Sequence, residues 1–308
     1  MQCLLCLVLA TEVTAQESST QPSPVSVKLQ MIVIDRDRHS VDEFKKDELI
    51  VDGSKEAIVA VEKDERPTDF GLVIDSSGSL RTSFPMVLEV ARSVIIGKRT
   101  TDQVFIERFI SSDKIRIVQN FTSDASLLAG ALNRFVVEGG QSAIIDGVYT
   151  AIDHLARHSP GDSSRRKALV LITDGEDRSS SYKADDLRRL LRQSRIQVFI
   201  IGLLTELDDS SGFIRKSSRR NAEALLKQIA QESGGRLFLP KSVKETMTAV
   251  LQITHDLQKQ FIVTLQPGEP LNQGFREVKL KLVPNERKLN VITPPGYFIA
   301  TSTLQQKN

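Results

Sequence analysis

Val25, Val27, Leu29, Met31 and Val33 alternate with mostly polar neighbours, the period of two that marks a half-buried strand. Glu48 to Val51 and Glu56 to Val61 flank Asp52-Gly53, a strong short turn signal, and together predict a β-hairpin. Past Pro67 the pattern changes: short apolar runs alternate with segments of helical period, which predicts βα units around a parallel sheet. Five core strands are legible, at Phe70 to Ile74, Val104 to Phe109, Ala168 to Ile172, Gln197 to Ile201 and Arg236 to Leu239, with Ile115 to Val118 as an antiparallel edge. In one intervening helix Ile145, Val148, Ile152 and Leu155 form the buried stripe, while Asp146, Thr150, His154 and His158 step along the opposite face. Ser242 and Glu245 make a capping box for the last helix, whose Val243, Met247, Val250, Leu251 and Leu257 share one side. Thr205 to Arg220, polar and charged, reads as a surface loop. From Phe261 strand alternation returns, with Val278, Leu280 and Leu282 facing one way and Lys279 and Lys281 the other.

The expected fold is therefore α/β: a doubly wound, mostly parallel sheet flanked by helices, with a small β-sandwich-like domain built from N- and C-terminal strands. The late strands have no α/β partner of their own. Pairing them with the early ones gives a discontinuous β domain of residues 25–66 plus 260–300, interrupted by an α/β domain of residues 67–259; two separate β lobes are the alternative. Residues 16–24 suit a disordered leader, and 301–308 a tail.

Composition narrows the function. With 308 residues, 40% hydrophobic and 26% charged, the chain is globular and long enough for about two domains. A net charge of +2, from 41 basic and 39 acidic residues, supplies no basic stripe for phosphates, so nucleic acid is not an expected partner. Cys3 and Cys6 both lie in the apolar run Cys3 to Ala10, which is far shorter than the roughly 20 residues that span a bilayer. Val13-Thr14-Ala15 resembles the small-residue site of a secretory signal, so residues 1–15 read as a signal peptide and the protein as exported: periplasmic, cell-surface or extracellular. The mature chain then has no cysteine, which excludes thiol catalysis and any need for a disulfide.

Two apolar runs end in acidic, hydroxyl-bearing loops. Phe70 to Ile74 leads into Asp75-Ser76-Ser77-Gly78-Ser79, and Ala168 to Ile172 into Thr173-Asp174-Gly175. Loops at the carboxyl ends of strands form the ligand crevice of open α/β sheets, so the two clusters can converge there. Two carboxylates and several hydroxyls, with no nearby Cys or His, suit Mg²⁺ or Mn²⁺ and argue against zinc. Asp75-x-Ser77-x-Ser79 with Asp174-Gly175 resembles the metal-ion-dependent adhesion site of von Willebrand factor A domains. That family supplies a third hydroxyl, usually a Thr after a Gly-Gly pair, and Gly139-Gly140-Gln141-Ser142 resembles the segment, with Gln141 as an extra residue and Ser142 in the Thr position. The resemblance covers roughly residues 67–259. Asp47 to Gly53, Gly234-Gly235-Arg236 and Pro295-Gly296-Tyr297 add a narrower likeness to bacterial exported VWFA-related proteins. It implies a non-enzymatic binding module in which Ser77, Ser79 and Ser142, with Asp75 and Asp174 behind, hold the metal, and a partner protein's Asp or Glu completes the octahedron.

Other classes stay in view. A metal-dependent hydrolase or phosphotransferase would use the same sheet, but the chain has no Gly-x-Ser-x-Gly elbow and no phosphate-cradling Gly-x-x-x-x-Gly-Lys loop. A structural scaffold with a vestigial metal site is the third reading. Asp177 is expected as a solvated loop charge, and His154 and His158 as exposed positions. Arg188, Arg189, Arg192 and Arg195 are expected on a solvated helix face. Asn120-Phe121-Thr122 fits a glycosylation acceptor pattern.

Overall fold

The computed structural model describes residues 25–53, 56–204, 213–283 and 287–299, and of 213–217 the backbone. In chain order its elements are β1 (Val27–Ile34), β2 (Leu49–Asp52), β3 (Ala57–Asp64), β4 (Thr68–Asp75), α1 (Phe84–Gly97), β5 (Gln103–Phe109), β6 (Ile115–Thr122), α2 (Ala125–Leu132) and α3 (Ile144–Arg157). They continue as β7 (Arg166–Thr173), α4 (Ala184–Ser194), β8 (Gln197–Gly202), α5 (Phe213–Ser233), β9 (Leu237–Phe238), α6 (Val243–Gln258), β10 (Gln260–Gln266), β11 (Gly274–Glu277), β12 (Lys279–Leu282), β13 (Asn290–Ile292) and β14 (Gly296–Ile299). The expected signal peptide, leader and tail, and residues 205–212 of the expected loop, lie outside the described residues.

Six strands form the central sheet in the order β6-β5-β4-β7-β8-β9, all parallel except β6, which runs antiparallel to β5. Every residue of β4 is buried, because helices cover both faces of the sheet. Alternate side chains feed two cores: Leu72, Val170 and Ile201 pack under α1, α2 and α6, while Val73, Leu171 and Ile200 pack under α3, α4 and α5. The chain leaves β4 through α1 for β5 on one side and, after β6, α2 and α3, returns to β7 on the other, so the order reverses at β4 and a crevice opens at its carboxyl end.

The terminal strands do pair with one another. β10 lies between β1 and β3, with Leu29 opposite Val263 and Val61 opposite Val263 on the other side, and β13 extends β1. β12 pairs with β2 and β11 with β14, and a third core of Leu29, Met31, Val263, Leu280 and Tyr297 fills the space between these sheets. This is the small sandwich-like part that was expected.

Several local expectations fail. β2 and β3 do not form a hairpin: β2 pairs with β12 and β3 with β10, so the chain turns a sandwich corner at Asp52-Gly53. The longer ladder to β10, seven residue pairs, outweighs what four residues of β2 could offer. The part of the expected loop that is described, 213–220, is helix, because Phe213 to Arg220 contains neither Gly nor Pro and is rich in Arg and Lys, good helix formers. α6 buries Thr246, Ala249, Val250, Ile253 and Leu257 but exposes Val243 and Leu251. Its inward face is the one whose small residues allow close approach to α1, where a Cβ on Gly97 would sit 2.7 Å from Thr254 Cγ2. Ser242 does cap it, accepting from Glu245 N–H, while the Glu245 carboxylate reaches back to Lys241 N–H. Finally, His154 and His158 are half-buried, their rings stacked on Phe121 at 5.4 and 3.7 Å between centroids. Among the described residues no helix is long and apolar enough to cross a membrane.

Candidate functional site

At the carboxyl end of β4 the chain is held to its neighbour by Ser76 N–H, which donates to Phe109 O (3.0 Å). Asp75 folds the next turn onto itself, its Oδ1 accepting from Ser77 N–H at 2.9 Å. The side chains then converge. Ser77 Oγ lies 3.1 Å from Ser79 Oγ and 2.7 Å from Ser142 Oγ, and the Ser142 hydroxyl is 3.1 Å from Asp75 Oδ2. Asp174 follows β7, one strand over, and accepts from Glu176 N–H at 3.1 Å through Oδ1. Its Oδ2 is buried and has no partner. The structure thus brings together Asp75, Ser77, Ser79 and Ser142 directly, with Asp174 beside Ser79, and of the five only Ser79 is exposed.

Glycines allow the approach. A Cβ on Gly140 would lie 2.5 Å from Ile110 Cγ2, so this position must be glycine for residues 139–142 to reach Ser77. Gly175 has φ +86 and lets the chain leave β7 sharply after Asp174.

Three residues contribute beyond those read from the sequence. Thr173 Oγ1 donates to Asp75 Oδ2 (2.7 Å) and accepts from Gly175 N–H (3.1 Å), fixing both strand ends. Its signal was its place directly before Asp174. Asp177 is not a free loop charge: its Oδ1 accepts from Ile145 N–H at the start of α3 and from the Ser180 hydroxyl. Asp146, expected on the open face of α3, is buried and accepts from Ser181 and Tyr182 N–H (2.8 and 2.9 Å). These bonds tie the loop after Asp174 to the helix after Ser142, and Ser142 O itself accepts from Arg178 and Ser179 N–H. Only a polar residue's long-range partner reveals such a role. Arg192 likewise leaves the solvated face, bonding Glu232 and lying 4.3 Å over the Phe275 ring.

Burial and the neighbouring Asp174 charge push the Asp75 carboxyl up to about 7. Burial also raises Asp174, against the pull of the Ser79 hydroxyl. A site that disfavours its own negative charges, and leaves a carboxylate oxygen without a partner, has the chemistry into which a cation fits. Among the described residues no group of three or more His, Cys, Asp or Glu comes together, so the donors are two carboxylates and three hydroxyls. Such hard oxygens fit Mg²⁺ or Mn²⁺, and Asp75, Ser77, Ser79, Ser142 and Asp174 are the residues that could hold one.

Among solved structures the protein is similar to the conserved hypothetical protein BatB from Bacteroides thetaiotaomicron, at 15% identity and TM-score 0.46, over 61% of this chain and 98% of that one. It is similar to an aerotolerance-related membrane protein from Bacteroides fragilis NCTC 9343, solved with multiple mutations to serines, at 20% identity and TM-score 0.46, over the same shares of the two chains. A von Willebrand factor type A protein from Catenulispora acidiphila matches at 14% identity and TM-score 0.46, over 92% of this chain and 76% of that one. No curated protein matches the chain. The von Willebrand factor type A domain family matches residues 69–254, from the second residue of β4 into α6, and so takes in all six strands of the central sheet but for Thr68, together with both of its loop clusters. Over more than half its length, then, the chain belongs to the von Willebrand factor type A domain family.

Proposed function

We propose that the protein is an exported, non-enzymatic binding module that holds one Mg²⁺ or Mn²⁺ at Asp75, Ser77, Ser79, Ser142 and Asp174 and uses it to take a carboxylate of a protein partner. The observation that carries this reading is the meeting of three hydroxyls and two carboxylates from three separate loops, with Asp174 Oδ2 buried and unpaired. Ser77, Ser79 and Ser142 serve as neutral ligands, and Asp75 and Asp174 balance the charge. Two carboxylates only neutralise a divalent ion, so the ion keeps its attraction for an acidic side chain of the partner. Bound there, it supplies a Lewis-acidic docking point rather than a reaction step. Export rests on the apolar run from Cys3 to Ala10 and the small-residue site that follows it.

Calorimetry with Mg²⁺ and Mn²⁺ tests the metal. Asp75→Ala and Asp174→Ala should each weaken binding about 10-fold to 100-fold, while Ser142→Thr keeps it. Absence of binding at millimolar metal, or unchanged binding by both alanine variants, would overturn the proposal. A pull-down from the native envelope, with Mg²⁺ and then with chelator, tests the partner, and metal-dependent turnover of phosphate esters would refute the non-enzymatic reading.

A further inference from the structure

At the opposite ends of the strands from Asp75, a cavity of about 500 Å³ lies between the terminal β strands and the α/β part. One wall is β1 and β10, from which Lys28, Gln30 and Ile262 line it; the other is the start of β7 and the end of α4. Gln30 stands directly opposite Ile262 in the sheet, and Lys28 shares its face by the strand's period of two. Of the sixteen lining residues seven are Lys or Arg, and one, Asp162, is acidic.

The excess is not cancelled behind the wall. Arg66, Arg165 and Arg192 have carboxylate partners in Asp64, Asp69 and Glu232, each at 2.6 Å. Lys167 Nζ donates to a neutral acceptor, His158 O, at 2.7 Å. Arg166 is buried, and its Nε and Nη2 donate only to the carbonyls of Arg66 (3.1 Å) and Leu257 (2.6 Å). The nearest carboxylate oxygen, on Asp64, is 3.9 Å away and already holds Arg66, while Arg166 Nη1 has no partner at all. Lys28 and Arg195 are exposed and carry no ion pair among the described residues. Gln30 Oε1 is a second buried polar atom without a partner.

A cavity of this size falls within the roughly 300–1,000 Å³ of small-molecule sites. Its low-dielectric walls focus a positive potential, and an anion seated there would compensate Arg166 as well as the two exposed cations. Lys28, Arg166 and Arg195 together match the charge of about −1.5 to −2 on a phosphate monoester better than that of one carboxylate. Leu191 and Ile262 offer apolar surface to the rest of such a molecule, and Gln30 a polar partner.

We propose that this cavity binds a small soluble phosphate ester, with Lys28, Arg166 and Arg195 neutralising the phosphate and Gln30 bonding a hydroxyl of the organic portion. The site is independent of the Asp75 crevice. Calorimetry of the full chain with glucose 6-phosphate, in EDTA so that no divalent ion contributes, tests it, with glucose as the uncharged probe. Glucose 6-phosphate should bind and glucose should not. The double variant Lys28→Ala, Arg195→Gly should lose about tenfold or more in affinity; glycine suits the φ of +56 at Arg195. Lys244→Ala, on the exposed side of α6, should bind as wild type does. Absence of binding at about 10 mM ligand, far weaker than a built site gives, or a double variant that binds like wild type, would overturn the proposal. Vesicles of phosphatidic acid in phosphatidylcholine should not co-sediment the protein; if they do, and the double variant does not, the soluble-ligand assignment is wrong.

Discussion

Glu107 should destabilise the fold, and removing its charge should help more as pH rises. It sits in the middle of β5, opposite Val73 and Ile117, with 0% of its surface exposed. Phe105 and Phe109, two residues to either side, place it on the α3 side of the sheet, and both carboxyl oxygens lack partners. A buried polar group left unpaired costs about 1–3 kcal/mol even when neutral. Burial also pushes this carboxyl well above its ordinary value. Below the unfolded-state value, about 4.3, both states hold the proton and pH has no effect through this group. Above it the unfolded chain ionises while the folded chain stays protonated, so wild-type stability falls by about 1.4 kcal/mol per pH unit until the native carboxyl titrates. Glu107→Met keeps the length and removes the charge. Its gain over wild type should be about 1–3 kcal/mol at pH 4.5 and up to about 3 kcal/mol larger at pH 7. Urea denaturation of both proteins at the two pH values reads the difference directly, since every other group titrates alike in the pair. Equal gains at both pH values, or a variant less stable than wild type, would refute the reasoning.

Asp256→Ala should cost about 3–5 kcal/mol, measured by urea denaturation, because Arg236 would remain buried without the carboxylate that now receives its Nη1 through both oxygens at 2.9 and 2.7 Å. Chelation should lower the melting temperature if the Asp75 site holds metal: saturation at 100 times the dissociation constant corresponds to about 2.7 kcal/mol, and Asp75→Ala should abolish the difference between calorimetric scans with and without chelator.

What was legible in the chain was whatever apolar periodicity encodes. β4 and β7 are apolar on both faces, so their runs announce central strands, and Asp75 and Asp174 stand out as the first charges beyond each. Ser142 was reached through the likeness of Gly139-Gly140 to a family segment rather than through spacing, and the close approach of Gly140 to Ile110 gives that likeness its physical basis. Polar residues whose partners lie far along the chain stayed illegible. Nothing local says that Asp177 will bond the start of α3, or that Phe121 will bury the rings of His154 and His158. Pairing is non-local in the same way: β2 alternates correctly, yet its choice of β12 over β3 depends on a strand more than two hundred residues away.

The junction at α6 shows what such distant partners do. The helix runs directly into β10, so the sequence already makes movement of one a pull on the other. Its last turn is also fastened to both parts of the molecule. Leu257 O accepts from Arg166 Nη2 at 2.6 Å, Gln258 O from Arg99 Nη2 at 3.0 Å, and Gln258 Nε2 donates to Gly97 O at 2.8 Å. Asp256 holds Arg236 and accepts from the Ser40 hydroxyl of the N-terminal region. Sliding α6 along its axis would break the buried Arg236–Asp256 pair, worth about 3–5 kcal/mol, and the bond from buried Arg166 to Leu257 O, whereas its first turn exposes Val243 and is tied only to its own neighbours, through Ser242, Glu245 and Thr246. The helix should therefore loosen from its N-terminal end while Ile253 to Gln258 stay fixed to β10. Native-state hydrogen exchange resolves this: amides of the last two turns should exchange far more slowly than those of Thr246 to Thr248, and uniform protection along α6 would show that the buried arginines do not anchor it.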